Sequence, residues 1–254
     1  MIKTSFCLKF WIKKQMPIIK IKRQEEISTE DWHTILKLAT ELNFSRASQV
    51  PKHKYWFSAV LAIIWLTGKR INEVLQLRRK HIILTQTQIR IKFFVGKKKS
   101  KKTPIEQMPY QKARTIKHQA APYILEYLKE FDKTHKSQET RLFPANTHPR
   151  TRTVNTKFIN AKGENETRQY TYTDQGGYVY SEHARFWLSK INKQLPPKKR
   201  IYFHYGRHSI GIKMAYQGRS AIQIAAVLDE TPRAAIEYTK HAGGISQEWT
   251  NETE

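Results

Sequence analysis

The stretch that decides the fold is residues 204–238, which read HYGRHSIGIKMAYQGRSAIQIAAVLDETPRAAIEY. His204 and Arg207 are three positions apart, so on a helix they share one face. Tyr238 follows near the end of another helical pattern. A histidine and an arginine on one face can bind a phosphate, and a tyrosine can attack one. The order of these residues is therefore chemically meaningful.

Two helix-start signals lie inside this stretch. Ser220 and Gln223 have the spacing of a capping box, and Thr231 is an N-cap before Pro232 at the first helical position. We therefore expect the chain to close with three short helices, the first of which carries His204.

Helical patterns also dominate upstream. A capping box that starts at Ser28 opens a helix that we expect to end near Asn43. Residues 55–66 are apolar on nearly all sides, as in a helix at the centre of a domain, and Gly68 ends that helix. The remaining predicted helices are a short one with Arg70, Glu73, Val74 and Leu77, one around Pro122–Phe131, and one from Ser181 to about Leu195.

A change to alternating periodicity marks β-structure at 82–109. Ile89–Val95 predicts a strand, Gly96 a turn, and Pro104–Met108 the returning strand. Residues 145–180 are polar and predict either a long loop or an irregular hairpin. The predicted fold class is mainly α with a small antiparallel β-sheet, an α+β fold.

The charge balance indicates a polyanionic partner. The 254 residues are 39% hydrophobic, enough for a core in one large domain or one domain with a small appendage. The 46 Lys and Arg outnumber the 21 Asp and Glu and give a formal charge of +25. Nucleic acid is the most common partner of such a chain, although a ribosomal protein would have the same charge.

Cysteine count and hydropathy exclude other classes of protein. Cys7 is the single cysteine, so no intramolecular disulfide and no cysteine-rich metal site can form. No apolar run reaches the ~18 residues of a membrane span, and Lys9 and Lys13 interrupt the apolar start, which argues against a signal peptide. We expect a cytoplasmic protein that has no membrane partner.

Three motifs resemble the catalytic domain of the tyrosine recombinase (phage integrase) family. Residues 67–77, TGKRINEVLQL, resemble T-G-x-R-x-x-E-x-x-x-L, and residues 202–218, YFHYGRHSIGIKMAYQG, resemble H-x-L-R-H-T-x-A-x-x-x-x-x-x-G. The closing AAIEYTKH resembles x-T-x-x-Y-x-H. The resemblance implies a tyrosine recombinase-like catalytic domain over 27–241, a basic N-terminal arm over 1–26 and a C-terminal tail over 242–254.

The resemblance implies a role for each matched residue. Arg70 and Arg207 would bind the scissile phosphate, each offering two donors while staying charged. His204 would assist as acid, base or phosphate donor. Tyr238 would be the nucleophile, and His208 would be a structural support.

Two further residues would complete this site. Glu73 follows Arg70 by three positions, on the same face of the predicted helix, and could hold the guanidinium in a bidentate pair. Lys97 follows the predicted strand where the family carries the lysine that protonates the leaving 5′-oxygen. Lys98 and Lys99 stay open as alternatives because the register can slip.

One segment departs from the family pattern. Family members read L-G-H or L-G-W before the tyrosine helix, whereas residues 227–230 read Val-Leu-Asp-Glu. Counting back from Tyr238 places Asp229 at the His or Trp position, and matching forward from Leu228 places Glu230 there. An unprotonated acid cannot donate to a phosphate, so either residue predicts weakened or altered catalysis. Gly206, where the family usually has Leu, predicts looser local packing.

The resemblance also implies a partner and a reaction. We expect double-stranded DNA as the partner, a homo-oligomer on it, and a nucleoid association in a bacterial or archaeal cell. The expected reaction is site-specific strand cleavage and rejoining in integration, excision or resolution of a mobile element, through a 3′-phosphotyrosyl intermediate without metal or cofactor.

Two alternatives stay open, namely a type IB topoisomerase-like or relaxase-like nicking-closing enzyme, and a degenerate non-catalytic DNA-binding protein.

A solvated turn explains the lysine run after Gly96 as well as DNA contact does. The residues that we expect to contact DNA are Lys98, Lys99, Lys101, Lys102, Arg79 and Lys80.

Overall fold

The structure is a computed structural model that describes residues 27–45, 50–93, 112–148, 150–159, 165–174 and 176–240. The described α-helices are α1 (Thr29–Glu41), α2 (Trp56–Thr67), α3 (Ile71–Leu75), α4 (Pro122–Thr134), α5 (Ser181–Gln194), α6 (His204–Tyr216), α7 (Ala221–Leu228) and α8 (232–240). The described strands are β1 (Ile82–Leu84), β2 (Gln88–Phe93), β3 (Lys112–Lys117), β4 (Arg150–Ile159) and β5 (Asn165–Asp174). The predicted class, mainly α with a small antiparallel sheet, is confirmed.

Helix α2 is the centre of the larger hydrophobic core. Ten of its twelve residues are buried, and α1, α4 and α6 pack against it. The helix ends at Gly68, whose φ of 67° is left-handed and whose amide donates to the Ile64 carbonyl at 2.9 Å. A side chain at Gly68 would also meet Leu228, since a Cβ there would lie 2.8 Å from its Cδ2. Both constraints explain why glycine ends this helix.

Helix α6 packs closely against α2 because residue 206 is glycine. A Cβ at Gly206 would lie 2.9 Å from the Cα of Trp65 and 3.2 Å from Cγ2 of Ile64. The expectation of looser packing at this position is therefore wrong, since the missing side chain lets the two helix backbones approach each other.

The predicted start signals of the last two helices are confirmed. The Ser220 hydroxyl accepts from the Gln223 amide at 3.3 Å, and the Gln223 side chain accepts from the Ser220 amide at 3.1 Å. The Thr231 hydroxyl accepts from the Ala234 amide at 3.3 Å, so it caps α8. Helices α6 to α8 share a second, smaller hydrophobic cluster of Ile212, Ala215, Ile224, Ala225, Leu228, Ala235 and Tyr238.

Helix α3 corrects one prediction. The sequence placed Arg70 and Glu73 on one face of a helix, but the helix begins at Ile71 and Arg70 is its extended N-cap, with φ −72° and ψ 148°. The Glu73 carboxylate accepts from the Arg70 amide at 2.9 Å, which satisfies a donor that the helix start leaves unpaired. Arg70 therefore projects from the turn between α2 and α3.

The small sheet has the antiparallel order β1-β2-β3. Ile89, Ile91 and Phe93 of β2 are buried at alternate positions, which confirms the alternating strand. The strand that returns beside β2 is β3, which was not predicted, because no clear alternation marks its sequence KARTIK. The predicted end of β2 at Val95, the turn at Gly96 and the strand at Pro104–Met108 lie outside the described residues.

Strands β4 and β5 form a long hairpin in the segment predicted as a loop or irregular hairpin. The two strands pair in antiparallel register from Arg150 opposite Asp174 to Ile159 opposite Asn165. Each strand has ten residues, so the hairpin is regular over its whole paired length.

The other helix predictions agree with the structure within a few residues. Ser28 caps α1 by accepting from the Asp31 amide at 3.1 Å, and α1 ends at Glu41, slightly before the expected Asn43. Within the described ranges no helix is both long and apolar enough to cross a membrane. The proposed domain boundaries at 26 and 241 stay predictions.

Candidate active site

Arg207 lies in α6 with its side chain only 3% exposed. Its Nη1 donates to the Gly68 carbonyl at 2.8 Å, and its Nη2 donates to the Leu228 carbonyl. Its Nε donates to Oε1 of Glu230 at 2.8 Å. The guanidinium therefore joins the ends of α2 and α7, and the Glu230 carboxylate balances its buried charge.

Arg70 approaches the same carboxylate from the turn before α3. Its Nη2 lies 3.8 Å from Oε1 of Glu230, and its Nη1 lies 3.5 Å from Oε1 of Glu73. The Arg70 side chain is 26% exposed, and the Glu230 side chain is 14% exposed. Two guanidinium groups thus converge on one oxygen of Glu230, and the group of Arg70 is the one open to solvent.

Asp229 and Glu230 have different partners. Asp229 caps α7 in the left-handed conformation, with φ 52°, a conformation that Asp tolerates better than most residues. Its carboxylate pairs with Nζ of Lys69, and the two side chains are 8% and 1% exposed. Of the two acids that the sequence left open, Glu230 is therefore the one that contacts both predicted phosphate-binding arginines.

Lys69 and Arg114 are site neighbours that the sequence did not single out. Nζ of Lys69 lies 5.3 Å from the ring centroid of Phe93, so the sheet covers the ion pair with Asp229. Arg114 of β3 donates from Nη2 to the Val227 carbonyl near the end of α7. Lys69 occupies an unspecified position of the first motif, and Arg114 lies in the strand that was not predicted.

Tyr238 lies in α8 and is buried, with its ring against Gly211 of α6. A Cβ at Gly211 would lie 2.8 Å from the tyrosine ring, so only glycine leaves room for it. Burial raises the pKa of Tyr238 to about 12, the negative charge of Glu230 adds to this rise, and Arg207 and Arg70 oppose it. In this arrangement the hydroxyl is protonated at neutral pH.

One histidine of α6 contacts the tyrosine, and a second lies one turn away on the same helix. The Tyr238 hydroxyl is 3.2 Å from Nδ1 of His208, the residue that the sequence suggested as a structural support. His204 begins α6, and its ring centroid lies 6.4 Å from that of His208. Partial desolvation lowers the pKa of His204, and the charges of Arg207 and Arg70 lower it further. His204 is therefore mainly neutral at neutral pH, a form that can accept a proton.

The predicted DNA-contacting residues fall into two groups. Arg79 donates from Nε and Nη2 to the Asp132 carboxylate at 2.6 and 2.9 Å and from Nη1 to the Ile82 carbonyl at 2.8 Å, so it ties the sheet to α4. Lys80 forms an exposed pair with Glu139 at 2.7 Å. Their DNA contacts stay predictions. The other predicted DNA contacts, Lys98, Lys99, Lys101 and Lys102, and the predicted general acid Lys97 lie outside the described residues.

The candidate site combines two arginines, a shared carboxylate and a tyrosine hydroxyl. Over the described ranges no group of three or more His, Cys, Asp or Glu could hold a metal ion. The chemistry that the arrangement supports is the binding of an anion by two arginines beside a buried tyrosine.

Solved structures of a recombinase share this fold. The chain is similar to the XerH site-specific recombinase bound to a palindromic difH substrate in a post-cleavage complex, with 16% identity and a TM-score of 0.54 over 89% of this chain and 52% of that chain. It is also similar to XerH bound to its difH substrate in a pre-cleavage complex, with 16% identity and a TM-score of 0.51 over 84% of this chain and 49% of that chain.

These matches identify the fold as that of a tyrosine recombinase catalytic domain. The chain spans about half the length of the solved structures that it matches. No model of a protein family matches the chain, and no curated protein sequence matches it significantly.

Proposed function

We propose that this protein is a DNA strand transferase of the tyrosine recombinase type, with Tyr238 as its nucleophile. The observation that carries the proposal is the convergence of Arg70 and Arg207 on one carboxylate oxygen of Glu230, at 3.8 and 2.8 Å. A phosphate oxygen is an anion of similar size and charge, so a site that holds this carboxylate has the donors to hold a phosphate.

The proposed reaction exchanges one phosphodiester bond for another. The Tyr238 oxygen attacks the phosphorus, a bond from phosphorus to the tyrosine oxygen forms, and the bond to the 5′-oxygen breaks. His208, 3.2 Å from the hydroxyl, is positioned to take the tyrosine proton, and Lys97 is the predicted donor to the leaving oxygen. Attack by a 5′-hydroxyl reverses these steps and rejoins the strand.

Glu230 sets a condition on this reaction. Its carboxylate occupies the space between the two arginines, and a phosphate with the same charge could enter only after the carboxylate turns away. The phosphate brings a negative charge of its own in place of the charge of Glu230, while Arg207 and Arg70 continue to favour the phenolate form of Tyr238.

The test is to trap the covalent intermediate. Nicked duplexes of randomised sequence lose a short strand after cleavage, so a protein–DNA adduct accumulates and resists denaturation. We expect an adduct with the wild-type chain and none with Tyr238→Phe. Tyr216→Phe, which changes an exposed tyrosine at the end of α6, is the matched control and should retain the adduct. An adduct that persists in Tyr238→Phe would show that the nucleophile is misassigned.

A non-catalytic DNA-binding protein is the second candidate function, and the geometry at Arg207 favours it. All three guanidinium nitrogens of Arg207 already donate to protein acceptors, and the Tyr238 hydroxyl is buried with a raised pKa. This candidate predicts binding that weakens steeply with salt, no adduct, and no loss of binding in Tyr238→Phe. The adduct assay separates the two functions.

The remaining aspects of the proposed function concern the DNA complex. Exchange of strands between two DNA sites requires a catalytic unit at each cleavage point, so we propose that the protein acts as a homo-oligomer on DNA. Sedimentation of Tyr238→Phe with one and with two DNA duplexes would test this. A single copy on each duplex with no further assembly would support a nicking-closing enzyme instead.

A further inference from the structure

One face of the β4–β5 hairpin is rich in uncharged hydrogen-bonding residues. Residues directly opposite in an antiparallel pair share a face, and the register sets Thr153 opposite Thr171 and Asn155 opposite Gln169. Seven residues of this face have described side chains, all exposed and all uncharged hydrogen-bonding groups: Thr151, Thr153, Asn155, Asn165, Thr167, Gln169 and Thr171. The register also places Lys157, Ile159 and Thr173 on this face.

This face has a lower share of charged residues than the chain as a whole. Of the whole chain, 26% of residues are charged, and proteins commonly place lysine on exposed strands to prevent pairing with other chains. Lys157 is the one charged residue among the ten that the register places on this face, and seven exposed positions without a charge give it mainly amide and hydroxyl groups. The hydroxyls of Thr153 and Thr171 lie 3.2 Å apart, and the methyl groups of the two residues take no part in this contact.

The shape of the hairpin fits one nucleic-acid surface. Ten residues per strand at about 3.4 Å each give a ribbon of roughly 30 Å. The major groove of B-form DNA, about 12 Å wide, admits a two-stranded β-ribbon, and its base edges present donors, acceptors and thymine methyl groups. Segment 150–174 contains five Lys or Arg and three Asp or Glu, so its net charge favours approach to phosphates.

We propose that the β4–β5 ribbon enters the DNA major groove and reads adenines through Asn155 and Gln169. A side-chain amide can donate to N7 of adenine and accept from its N6 amino group, and threonine methyl groups pack against thymine methyl groups. This inference rests on the proposed action on DNA and adds a source of sequence preference to it. The catalytic arginines would hold the phosphate, and the ribbon would select the site.

The experiment starts from a selection, because the target sequence is unidentified. Tyr238→Phe protein, which should bind without forming an adduct, is mixed with duplexes that carry a randomised central segment. The duplexes that it binds are recovered and their sequences compared. The same selection is repeated with Asn155→Ala and Gln169→Ala added. We expect enrichment of a site with adenines, and a loss of preference at one or two of its positions in the variant. The matched control is Gln86→Ala with Gln119→Ala, which removes two exposed amides elsewhere and should keep the preference.

A single-atom change in the DNA tests the contact itself. 7-Deazaadenine lacks the N7 acceptor and still pairs with thymine. At the selected adenines it should weaken binding of the Tyr238→Phe protein by about fivefold to a hundredfold, the range for one amide–adenine pair. The same change should not affect the variant that lacks both amides, and affinity for random DNA should stay within about twofold in both proteins.

Three results would overturn the ribbon proposal. They are a selection that enriches no sequence, an amide variant that selects the same site with equal affinity, and an amide variant that binds all DNA more weakly. If the variant keeps the site but assembles fewer copies on DNA, the ribbon contacts another protein chain instead. Failure of the proposed catalytic function is distinguishable, because it appears as a missing adduct with the wild-type chain whatever the selection finds.

Discussion

Two ion pairs lie side by side at the end of α7. One, the closed pair, is almost completely buried, and the other, the open pair, is partly exposed to solvent. The Lys69–Asp229 pair is almost completely buried and ties the end of α7 to the turn between α2 and α3. The adjacent Glu230 shares one oxygen between buried Arg207 and Arg70, whose side chain is 26% exposed. Asp229 and Glu230, neighbours of like charge, therefore differ in role: the first forms a structural link, and the second lies at the proposed anion site.

Breaking the closed pair should have the largest effect on stability. Asp229→Asn removes the charge while asparagine tolerates the left-handed backbone, so Lys69 is left buried without its counter-charge. We expect the free energy of unfolding to fall by about 3–5 kcal/mol, measured by urea denaturation. The control is Glu139→Gln, which breaks the exposed pair with Lys80 and should change stability far less. Equal losses in the two variants would contradict a structural role for the closed pair.

Removing Arg70, the more exposed side of the proposed anion site, should lower the rate of the reaction far more than the free energy of unfolding. Arg70→Ala deletes a partly exposed guanidinium, and we expect the rate of adduct formation to fall about 100- to 1000-fold, the usual result of losing one donor to a developing charge. The free energy of unfolding should fall by less than about 1 kcal/mol. A variant that unfolds readily but forms adduct at the wild-type rate would reverse the roles assigned to the two pairs.

The burial of Tyr238 should make stability depend on alkaline pH. Its pKa is raised to about 12 in the folded chain, so it stabilises the fold fully below its ordinary pKa near 10, and this contribution is lost as pH rises from about 10 to 12. The rise corresponds to about 2.7 kcal/mol, which solvent screening reduces to about 2 kcal/mol. Unfolding of the wild type and of Tyr238→Phe should diverge by this amount over that interval, and parallel pH profiles would show an unshifted tyrosine.

Glu230→Gln should have the smallest effect on the reaction, and there it should be a gain, whereas stability should fall because buried Arg207 loses its counter-charge. Glutamine keeps the shape and can still accept from Arg207, but it brings no negative charge against an incoming phosphate. We expect adduct formation to rise about tenfold and the pKa of Tyr238 to fall, because like-charge repulsion in a partly buried site is on the order of a few kcal/mol. Glu237→Gln makes the same charge change on the exposed face of α8 and should have no such effect. A slower Glu230→Gln variant would mean that the acid assists the reaction.

Much of the fold could be predicted because local signals and helix periodicity agreed. The capping residues before α1, α7 and α8 and the apolar run of α2 depend on neighbours within a few positions. Strand β3 could not be found in this way, since its pairing with β2 crosses a segment of basic residues and its own alternation is weak.

The sequence motifs indicated the residue types of the proposed site but not the contacts among them. The motifs indicated Arg70, Arg207 and Tyr238. The choice between Asp229 and Glu230 depended on the left-handed backbone of Asp229, which turns its side chain to Lys69 and leaves Glu230 with the arginines. The contact of His208 with the Tyr238 hydroxyl depended on the packing of α8 on Gly211, which no local pattern specifies.

The most direct test of Tyr238 chemistry at this anion site is to locate the DNA on the protein after covalent trapping. The adduct formed by the wild-type chain is digested with nuclease and protease, and the residue that carries the remaining nucleotide is identified by mass spectrometry. We predict a nucleotide joined through its 3′-phosphate to the Tyr238 oxygen, with more adduct in Glu230→Gln and far less in Arg70→Ala. A nucleotide on any other residue, or tight DNA binding with no adduct in any of these proteins, would contradict it.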